Sequence, residues 1–125
     1  MTLYRSDIIE DARHPKHYGE LQDADVVLEA KNPTCGDELK LHVRRDASGA
    51  KIEEARFEGR GCMVAMASAS RLLERIQGKT LVSVAKITED DVLEIFAAPL
   101  TPGRISCALL PWDALRKLPN GIKRR

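Results

Sequence analysis

The sequence predicts an α+β fold: a three-stranded antiparallel sheet with helices packed mainly on one face. Between residues 25 and 58, apolar side chains recur at every second position, the period of a strand with one buried face. After residue 62 they recur at spacings of three and four, the period of a helix. No repeat, linker or low-complexity segment interrupts this order, so we expect residues 1–125 to form one domain.

The first predicted helix covers residues 4–13, where apolar side chains lie on one helical face. Pro15 discourages its continuation, and Gly19 marks a turn. His14 and His17 lie in this exit segment without a cysteine or an acidic motif beside them in sequence. We therefore interpret both histidines as solvated loop residues and not as metal ligands.

Three strands are predicted next, at residues 25–31, 38–45 and 52–58. The middle strand alternates most cleanly, and its inward side chains are Leu39, Leu41 and Val43. His42 then falls on the solvent or helix-free face, and we assign it no role in chemistry. Residues 46–49 are typical of a hairpin turn, and a shift of parity within the third strand predicts a bulge or a late strand start there.

Three further segments have the helical period. A long helix is predicted to begin at or just after Cys62 and to stop at Gly78. Residues 80–87 form a candidate short helix. Thr88 is followed by three acids, which indicates a capped helix start, and that helix is expected to run to about Ala98.

The last predicted helix has a difficulty at Pro111. Apolar side chains recur on one helical face between residues 109 and 118. Proline has no N–H group and crowds the carbonyl one turn before it, which here is that of Cys107. The sequence therefore requires either a kinked helix or one that starts late.

Three cysteines and one acid lie at predicted turns or element boundaries: Cys35, Asp37, Cys62 and Cys107. The turn at residues 32–37 can point its thiol and its carboxylate the same way, because Pro33 fixes φ and Gly36 permits an unusual backbone conformation. At the start of the long helix, unpaired amides and the helix dipole favour a thiolate. These positions suggest one shared site for metal binding or thiol chemistry.

Composition excludes several classes of function. The formal net charge is +1 and aromatic residues are few, so nothing calls for nucleic acid or an anionic membrane. No apolar run reaches the length of a membrane span, and the first ten residues lack the features of a signal peptide. We therefore expect a cytoplasmic protein with reduced thiols, in which an odd number of cysteines argues against a disulfide framework.

Three motifs carry a resemblance to a known family. They are residues 32–37 (NPTCGD), residues 57–62 (FEGRGC) running into 66–70 (MASAS), and residues 104–110 (RISCALL) with Trp112. In this order they resemble the cysteine motifs of the IscU/SufU/NifU-type iron–sulfur cluster assembly scaffolds. The resemblance covers nearly the whole chain and implies the SufE/NifU-like fold.

The resemblance implies that Cys35, Cys62 and Cys107 are thiolate ligands and that Asp37 is the acid of the CGD turn. Such scaffolds receive persulfide sulfur from a cysteine desulfurase, assemble a 2Fe-2S cluster and pass it to apo iron–sulfur proteins. Many also bind zinc at the same place. The implied role is a scaffold and carrier, not an enzyme, with Cys35 and Cys107 as candidate persulfide acceptors.

Two segments depart from the family pattern. IscU-type members carry a histidine before the third cysteine and many SufU-type members a lysine, whereas this chain has Ser106. Residues 100–104 keep only the outline of the LPPVK segment that a dedicated chaperone recognises, so the resemblance does not extend to that partner. The segments around Cys62 and Trp112 are more SufU-like, but the SufU insertion before the third cysteine is absent.

Two alternatives to a scaffold are left open. The first is a zinc-bound sulfur acceptor that enhances cysteine desulfurase activity, with Cys35 or Cys107 taking the persulfide. The second is a structural domain with inert buried thiols. Anaerobic metal analysis separates the first alternative from a scaffold, and alkylation of the intact protein tests the second.

Overall fold

The computed structural model describes residues 6–33 and 36–118. The elements in chain order are α1 (Ser6–Arg13), β1 (Val26–Asn32), β2 (Asp37–Arg45), β3 (Ile52–Arg60), α2 (Met63–Ile76), α3 (Leu81–Ala85), α4 (Glu89–Phe96) and α5 (Pro102–Leu115). The predicted α+β class is confirmed. The beginning of the first predicted helix, before Ser6, lies outside the described residues.

The sheet is an antiparallel meander in the order β1-β2-β3. Leu41 of β2 lies opposite Leu28 of β1 and Phe57 of β3, so all three strands turn apolar side chains to the same face. Of the two predicted alternatives, the bulge is confirmed and the late strand start is wrong; the bulge lies beside the turn that joins β2 and β3. There Arg44 pairs with Glu54 and Arg45 with Ile52, which leaves one extra residue in β3.

The main core lies between that face and the two long helices, α2 and α5. Phe57 of the sheet, Leu72 and Leu73 of α2, and Leu110 of α5 are all at most 1% exposed. A second apolar cluster joins α1, α2, α4 and α5; its buried members are Ile8, Val64, Ala67, Phe96, Cys107 and Ala108. Apolar burial on this scale is the dominant favourable contribution to folding.

His42 lies on the opposite, helix-free face of the sheet, as predicted. The prediction that its side chain is exposed to solvent on that face is wrong. Its side chain lies between Val27 and Arg56 on the neighbouring strands, because β2 is central in the sheet, and it is only 5% exposed. Its Nε2 atom lies 3.2 Å from a carboxylate oxygen of Glu58. The alternation of side chains therefore predicted the face correctly but not the burial.

Helices α2, α3 and α4 begin near their predicted positions. Thr88 accepts a hydrogen bond from the Asp91 N–H, and the Asp91 carboxylate accepts one from the Thr88 N–H, which completes a capping box. Helix α4 ends at Phe96, just short of the predicted Ala98, because Ala97 adopts a left-handed conformation with φ of 62°.

The bounds of helix α5 distinguish between the two alternatives predicted at Pro111, a kinked helix and a late helix start. The helix begins at Pro102, continues through Cys107 and contains Pro111 in its interior. A start after Cys107 is therefore wrong, and so is the expectation that Cys107 lies at a turn. Pro102 fits the first turn of a helix because the N–H group that it lacks has no helical partner there. Among the described residues no helix is both long and apolar enough to span a membrane.

Candidate metal centre

Cys62 lies where the sheet passes into helix α2. Strand β3 ends at Arg60, and Cys62 is the extended N-cap residue of α2, as predicted. The residue just before it, Gly61, is closely packed. A Cβ atom on Gly61 would lie 3.0 Å from the Ala65 Cβ atom and 3.5 Å from the Asp37 carboxylate. Gly59 and Gly61 therefore contribute to close packing where β3 passes into α2 as well as to the turn there.

Gly59 is needed for a different reason. Its φ of +138° is rare for residues with a side chain, and an added Cβ atom would lie 2.2 Å from the Glu38 carbonyl oxygen. The same residue is held from the other side by Tyr18, whose hydroxyl lies within hydrogen-bond distance of both the N–H and the carbonyl of Gly59. These contacts therefore fix the backbone conformation at the end of β3, just before Cys62.

Asp37 is the first residue of β2 and is 8% exposed. Its Oδ2 atom accepts a hydrogen bond of 3.2 Å from the backbone N–H of Cys62. The Cys62 side chain makes no capping hydrogen bond, and the first turn of α2 holds no acid of its own. Asp37 therefore caps helix α2 from a neighbouring strand and places a carboxylate at the positive end of its dipole.

Cys107 reaches the same place from inside helix α5. It is 5% exposed and packs in the second apolar cluster with Ile8, Val64 and Phe96. The hydroxyl of Ser68 on α2 donates a hydrogen bond of 2.6 Å to the carbonyl of Ala108, which joins the two helices next to this cysteine. Its position is therefore set by helix packing.

One ligand atom each from Asp37, Cys62 and Cys107 lies within 4.8 Å of the other two. In a tetrahedral zinc site with zinc–sulfur bonds of about 2.3 Å, neighbouring ligand atoms are about 3.8 Å apart. Small side-chain movements would bring these three atoms to that spacing. Two sulfurs and one carboxylate oxygen are also a donor set that zinc accepts, so the residues fit a metal and leave one position for a fourth ligand.

Cys35 lies outside the described residues, between Pro33 and Gly36. The two residues that flank its loop are Asn32 and Asp37, which pair directly across the hairpin, and the Gly36 N–H donates to the Asn32 carbonyl at 2.8 Å. Gly36 has φ of 79°, as its predicted role requires. Because Cys35 is two residues from Asp37, their Cα atoms are at most about 7 Å apart.

Neither His14 nor His17, in the segment after α1, belongs to this group of ligand atoms. His14 is exposed, and His17 lies 2.6 Å from Glu74, where its hydrogen bond lowers the pKa of that carboxylate. Sequence reasoning missed a different pair. The side-chain amide of Asn32 donates to the hydroxyl of Ser106 at 3.2 Å. No periodicity or spacing in the sequence predicts a contact between residues 74 positions apart.

Comparison with known proteins places this geometry in a family. The model of the NifU-like N terminal domain matches residues 3–123. The zinc-dependent sulfurtransferase SufU of Bacillus subtilis is 38% identical, over 93% of this chain and 88% of that protein. The iron–sulfur cluster assembly scaffold protein IscU of Thermotoga maritima is 30% identical, over 98% of this chain and 96% of its own.

Solved structures agree with the sequence comparison. The crystal structure of FiSufU from Fervidobacterium islandicum AW-1 superposes with a TM-score of 0.79 at 30% identity, covering 92% of this chain and 95% of that one. A NifU-like N-terminal structure from Brucella abortus, at 20% identity, shares the fold with a TM-score of 0.73 over 92% of this chain and 90% of that one. The chain belongs to the NifU-like N-terminal domain family.

Proposed function

We propose that this protein is a scaffold on which a 2Fe-2S cluster is assembled from iron and desulfurase-derived sulfur before transfer to apo-proteins. One observation carries the proposal: ligand atoms of Asp37, Cys62 and Cys107, from three distant segments of the chain, lie within 4.8 Å of one another. A site built only for stability has no need to gather two thiols and an acid in this way.

The proposed ligands of the cluster are Cys35, Asp37, Cys62 and Cys107. A 2Fe-2S cluster takes two protein ligands on each iron, four in all, and thiolates are its usual ligands. Asp37 and the two described cysteines supply three, and Cys35, beside Asp37 in sequence, is the fourth. A carboxylate oxygen suits iron–sulfur centres less well than a thiolate, which favours release of the cluster.

Sulfur delivery is proposed to begin at Cys35. Its thiolate attacks the outer sulfur of the desulfurase persulfide, a new S–S bond forms on Cys35, and the desulfurase cysteine leaves as a thiolate. Conversion of that sulfur to sulfide takes two electrons from an external reductant. The burial of Cys107 supports this order, because a 5% exposed thiol can meet a partner's persulfide only after its surroundings move.

A zinc-bound sulfur acceptor is the second candidate function. The 38% identity to a protein named as a zinc-dependent sulfurtransferase favours it, and so does a donor set that suits zinc. In that case the same four residues would hold zinc, and the zinc would keep the thiols deprotonated. One cysteine would then accept the persulfide without building a cluster.

Anaerobic reconstitution tests the proposal. The purified chain is incubated with ferrous iron, cysteine, a reductant and a cysteine desulfurase, and absorption spectra, iron, sulfide and zinc are measured. The scaffold predicts two irons and two sulfides per site, and loss of the cluster on addition of an apo-ferredoxin. A colourless chain with one zinc that raises desulfurase turnover and never holds a cluster would establish the second candidate instead.

Matched variants sharpen the experiment. Cys62→Ser should abolish the cluster, because it removes a ligand at the start of α2. Asp23→Ala is the control, since Asp23 is 74% exposed and pairs only with a surface charge on Arg44 among the contacts described. The partners proposed here are a cysteine desulfurase and apo iron–sulfur proteins in the cytoplasm.

A further inference from the structure

Arg71 of helix α2 joins three helices through one side chain. Its Nε atom donates a hydrogen bond of 2.6 Å to the Asp11 carboxylate of α1, and its Nη2 atom donates one of 3.0 Å to that of Asp7, one turn earlier. Its Nη1 atom donates to the carbonyl of Phe96, the last residue of α4, at 2.7 Å. Each nitrogen of the guanidinium group therefore has a partner, in a fork geometry that lysine cannot reproduce.

These contacts are better shielded from solvent than a typical surface ion pair. The side chains of Arg71 and Asp11 are only 17% and 18% exposed. Burial lowers the pKa of Arg71, but its hydrogen bonds to Asp11 and Asp7 outweigh this effect and raise the pKa above its usual value. A positive charge is also favourable at Phe96, where α4 ends and its carbonyl groups lack helical partners. Asp7 is half-exposed and makes other interactions as well, so Asp11 and Phe96 are the main partners.

The helices that Arg71 joins also supply the apolar surroundings of Cys107. Ile8 of α1 and Phe96 of α4 are fully buried, and both belong to the second apolar cluster, which contains Cys107. Phe96 is bound to Arg71 through its own carbonyl, and Ile8 lies one turn before Asp11 on the same helix. The hydrogen bonds of Arg71 therefore act on the two elements that carry these side chains.

We propose that Arg71 is a positioning residue: by binding α1 and the end of α4, it holds the second apolar cluster closed around Cys107. Ile8 and Phe96 then exclude water and dissolved reagents from the thiol, and their close packing keeps its sulfur in place relative to Cys62. Arg71 itself touches neither metal nor thiol in this role. The inference rests on Cys107 as a ligand of the centre proposed above.

The first test measures thiol reactivity in the metal-free protein. A limiting pulse of iodoacetamide is followed by mass spectrometry, which gives separate rates for Cys62 and Cys107. Arg71→Met keeps an aliphatic stem but loses the fork of hydrogen-bond donors. It should raise the rate at Cys107 about tenfold or more, as expected when hydrogen bonds to a charged group are lost, and leave Cys62 at its parental rate.

Two further variants test whether the contact with α1 is responsible. Arg75→Met is the matched control, because Arg75 lies on the same helix and is exposed, and it should leave both rates at their parental values. Asp11→Ala should raise the Cys107 rate less than Arg71→Met does, since the contact with Phe96 remains. The two substitutions together should fall short of the product of their single effects, because both remove the same contact. Should Arg71→Met fail to fold, Asp11→Ala supplies the same comparison.

Urea separates a local effect from a loss of global stability. Reaction through local exposure of a thiol depends little on urea below the unfolding transition, whereas reaction through global unfolding rises steeply with it. In Arg71→Met the Cys107 rate should therefore be nearly independent of low urea concentrations. Leu81→Ala removes a buried side chain of α3 from the main core, and any increase at Cys107 in that variant should follow the urea dependence of global unfolding.

The second test uses cobalt as a spectroscopic probe of thiolate ligation. Titration gives the affinity for cobalt and the thiolate-to-cobalt absorption per bound ion. Arg71→Met should weaken cobalt binding about tenfold, the low end of the range for residues that position metal ligands, and should lower the absorption per ion. Arg75→Met should change neither quantity. If Arg71 served only the stability of the fold, the absorption at saturating cobalt would not change.

Four outcomes would overturn the proposal. They are an unchanged Cys107 rate in Arg71→Met, equal acceleration at Cys62 and Cys107, a steep urea dependence of the Cys107 rate in that variant, and cobalt affinity and absorption equal to those of the parental chain. If the parental chain binds no cobalt, the proposed ligand set fails. The alkylation rates of the metal-free protein then still decide whether Arg71 holds the apolar cluster around Cys107.

Discussion

Helices α2 and α5 hold their cysteines in a different way from the hairpin between β1 and β2. Cys62 and Cys107 are placed by helices whose apolar side chains are fully buried in the core, among them Leu72 and Leu110. Among the contacts of the described residues, side-chain hydrogen bonds from Asn32 and Asp37 join the base of the hairpin loop to the same helices. The positions of Cys62 and Cys107 therefore depend on core packing, whereas Asn32 and Asp37 are joined to the helices by polar contacts.

This difference suits a protein that must take up and release an inorganic group. A site held by core packing on every side would bind tightly and open slowly, because packed interiors rearrange at high cost. A site with one side held by polar contacts can open there while the other ligands stay in place. Substitutions in and around these two regions should show whether the fold and the site respond together or separately.

The largest effect is expected in the helical region. Leu72→Ala removes a fully buried side chain from α2 and should lower the free energy of unfolding by about 2–5 kcal/mol. Denaturant unfolding of the metal-free protein measures the loss. Val82→Ala, at a position that is 55% exposed, is the control and should change stability little. A loss below about 1 kcal/mol for Leu72→Ala would contradict the assigned core.

A slightly smaller loss is expected where β3 approaches Cys62. Gly59→Ala introduces a Cβ atom against the Glu38 carbonyl at a φ that favours glycine, and should cost about 2–3 kcal/mol. Gly49→Ala is matched in having a positive φ, but nothing lies within 4 Å of the added atom, so it should cost about 1 kcal/mol. Thermal unfolding of both variants gives the comparison, and equal losses would argue against the close approach.

Substitutions of Asp37 should have separate effects on folding stability and on cluster transfer. In the metal-free protein Asp37→Ala removes the cap of α2 and should cost about 1 kcal/mol, whereas Asp37→Asn keeps an acceptor oxygen and should cost less. In the cluster-bound protein Asp37→Ala should slow transfer to apo-ferredoxin and lengthen the lifetime of the cluster. Calorimetry and transfer kinetics measure the two effects, and faster cluster loss would count against a releasing role for the carboxylate.

The smallest effect concerns the His17–Glu74 pair at the protein surface. The hydrogen bond from His17 lowers the pKa of Glu74 below its usual value, so the unfolded chain protonates this carboxylate at higher pH than the folded chain does. Its contribution to stability is present above about pH 4.5, the ordinary value for the group, and is lost as the pH falls through the lowered one. Glu74→Gln should slightly flatten the acid limb of a stability–pH curve, and an unchanged limb would contradict the pairing.

Much of the architecture follows from local signals in the sequence. Alternation at Leu39, Leu41 and Val43 gave the inward face of β2, and the residues after Thr88 gave the start of α4, because both depend on neighbours in the chain. Cys62 at a helix start was predicted from the glycines before it. In each case the physical cause lies within a few residues of the feature.

The features that were predicted wrongly or missed depend on packing between residues that are far apart in the chain. Pro111 made a late start of α5 a reasonable alternative, but burial of Cys107 and Leu110 favours a helix that tolerates the proline. The burial of His42 depends on two neighbouring strands. The contact of Asn32 with Ser106 joins residues 74 positions apart, and no local pattern could have predicted it. That residues 1–125 form one domain stays a prediction.

X-ray absorption at the zinc edge of the zinc-loaded protein tests the central claim most directly. The account predicts three sulfur ligands at about 2.3 Å and one oxygen ligand at about 2.0–2.2 Å, and two sulfurs after Cys35→Ser. A zinc with no more than one sulfur ligand in the unaltered chain would contradict the claim that three distant segments hold one inorganic centre.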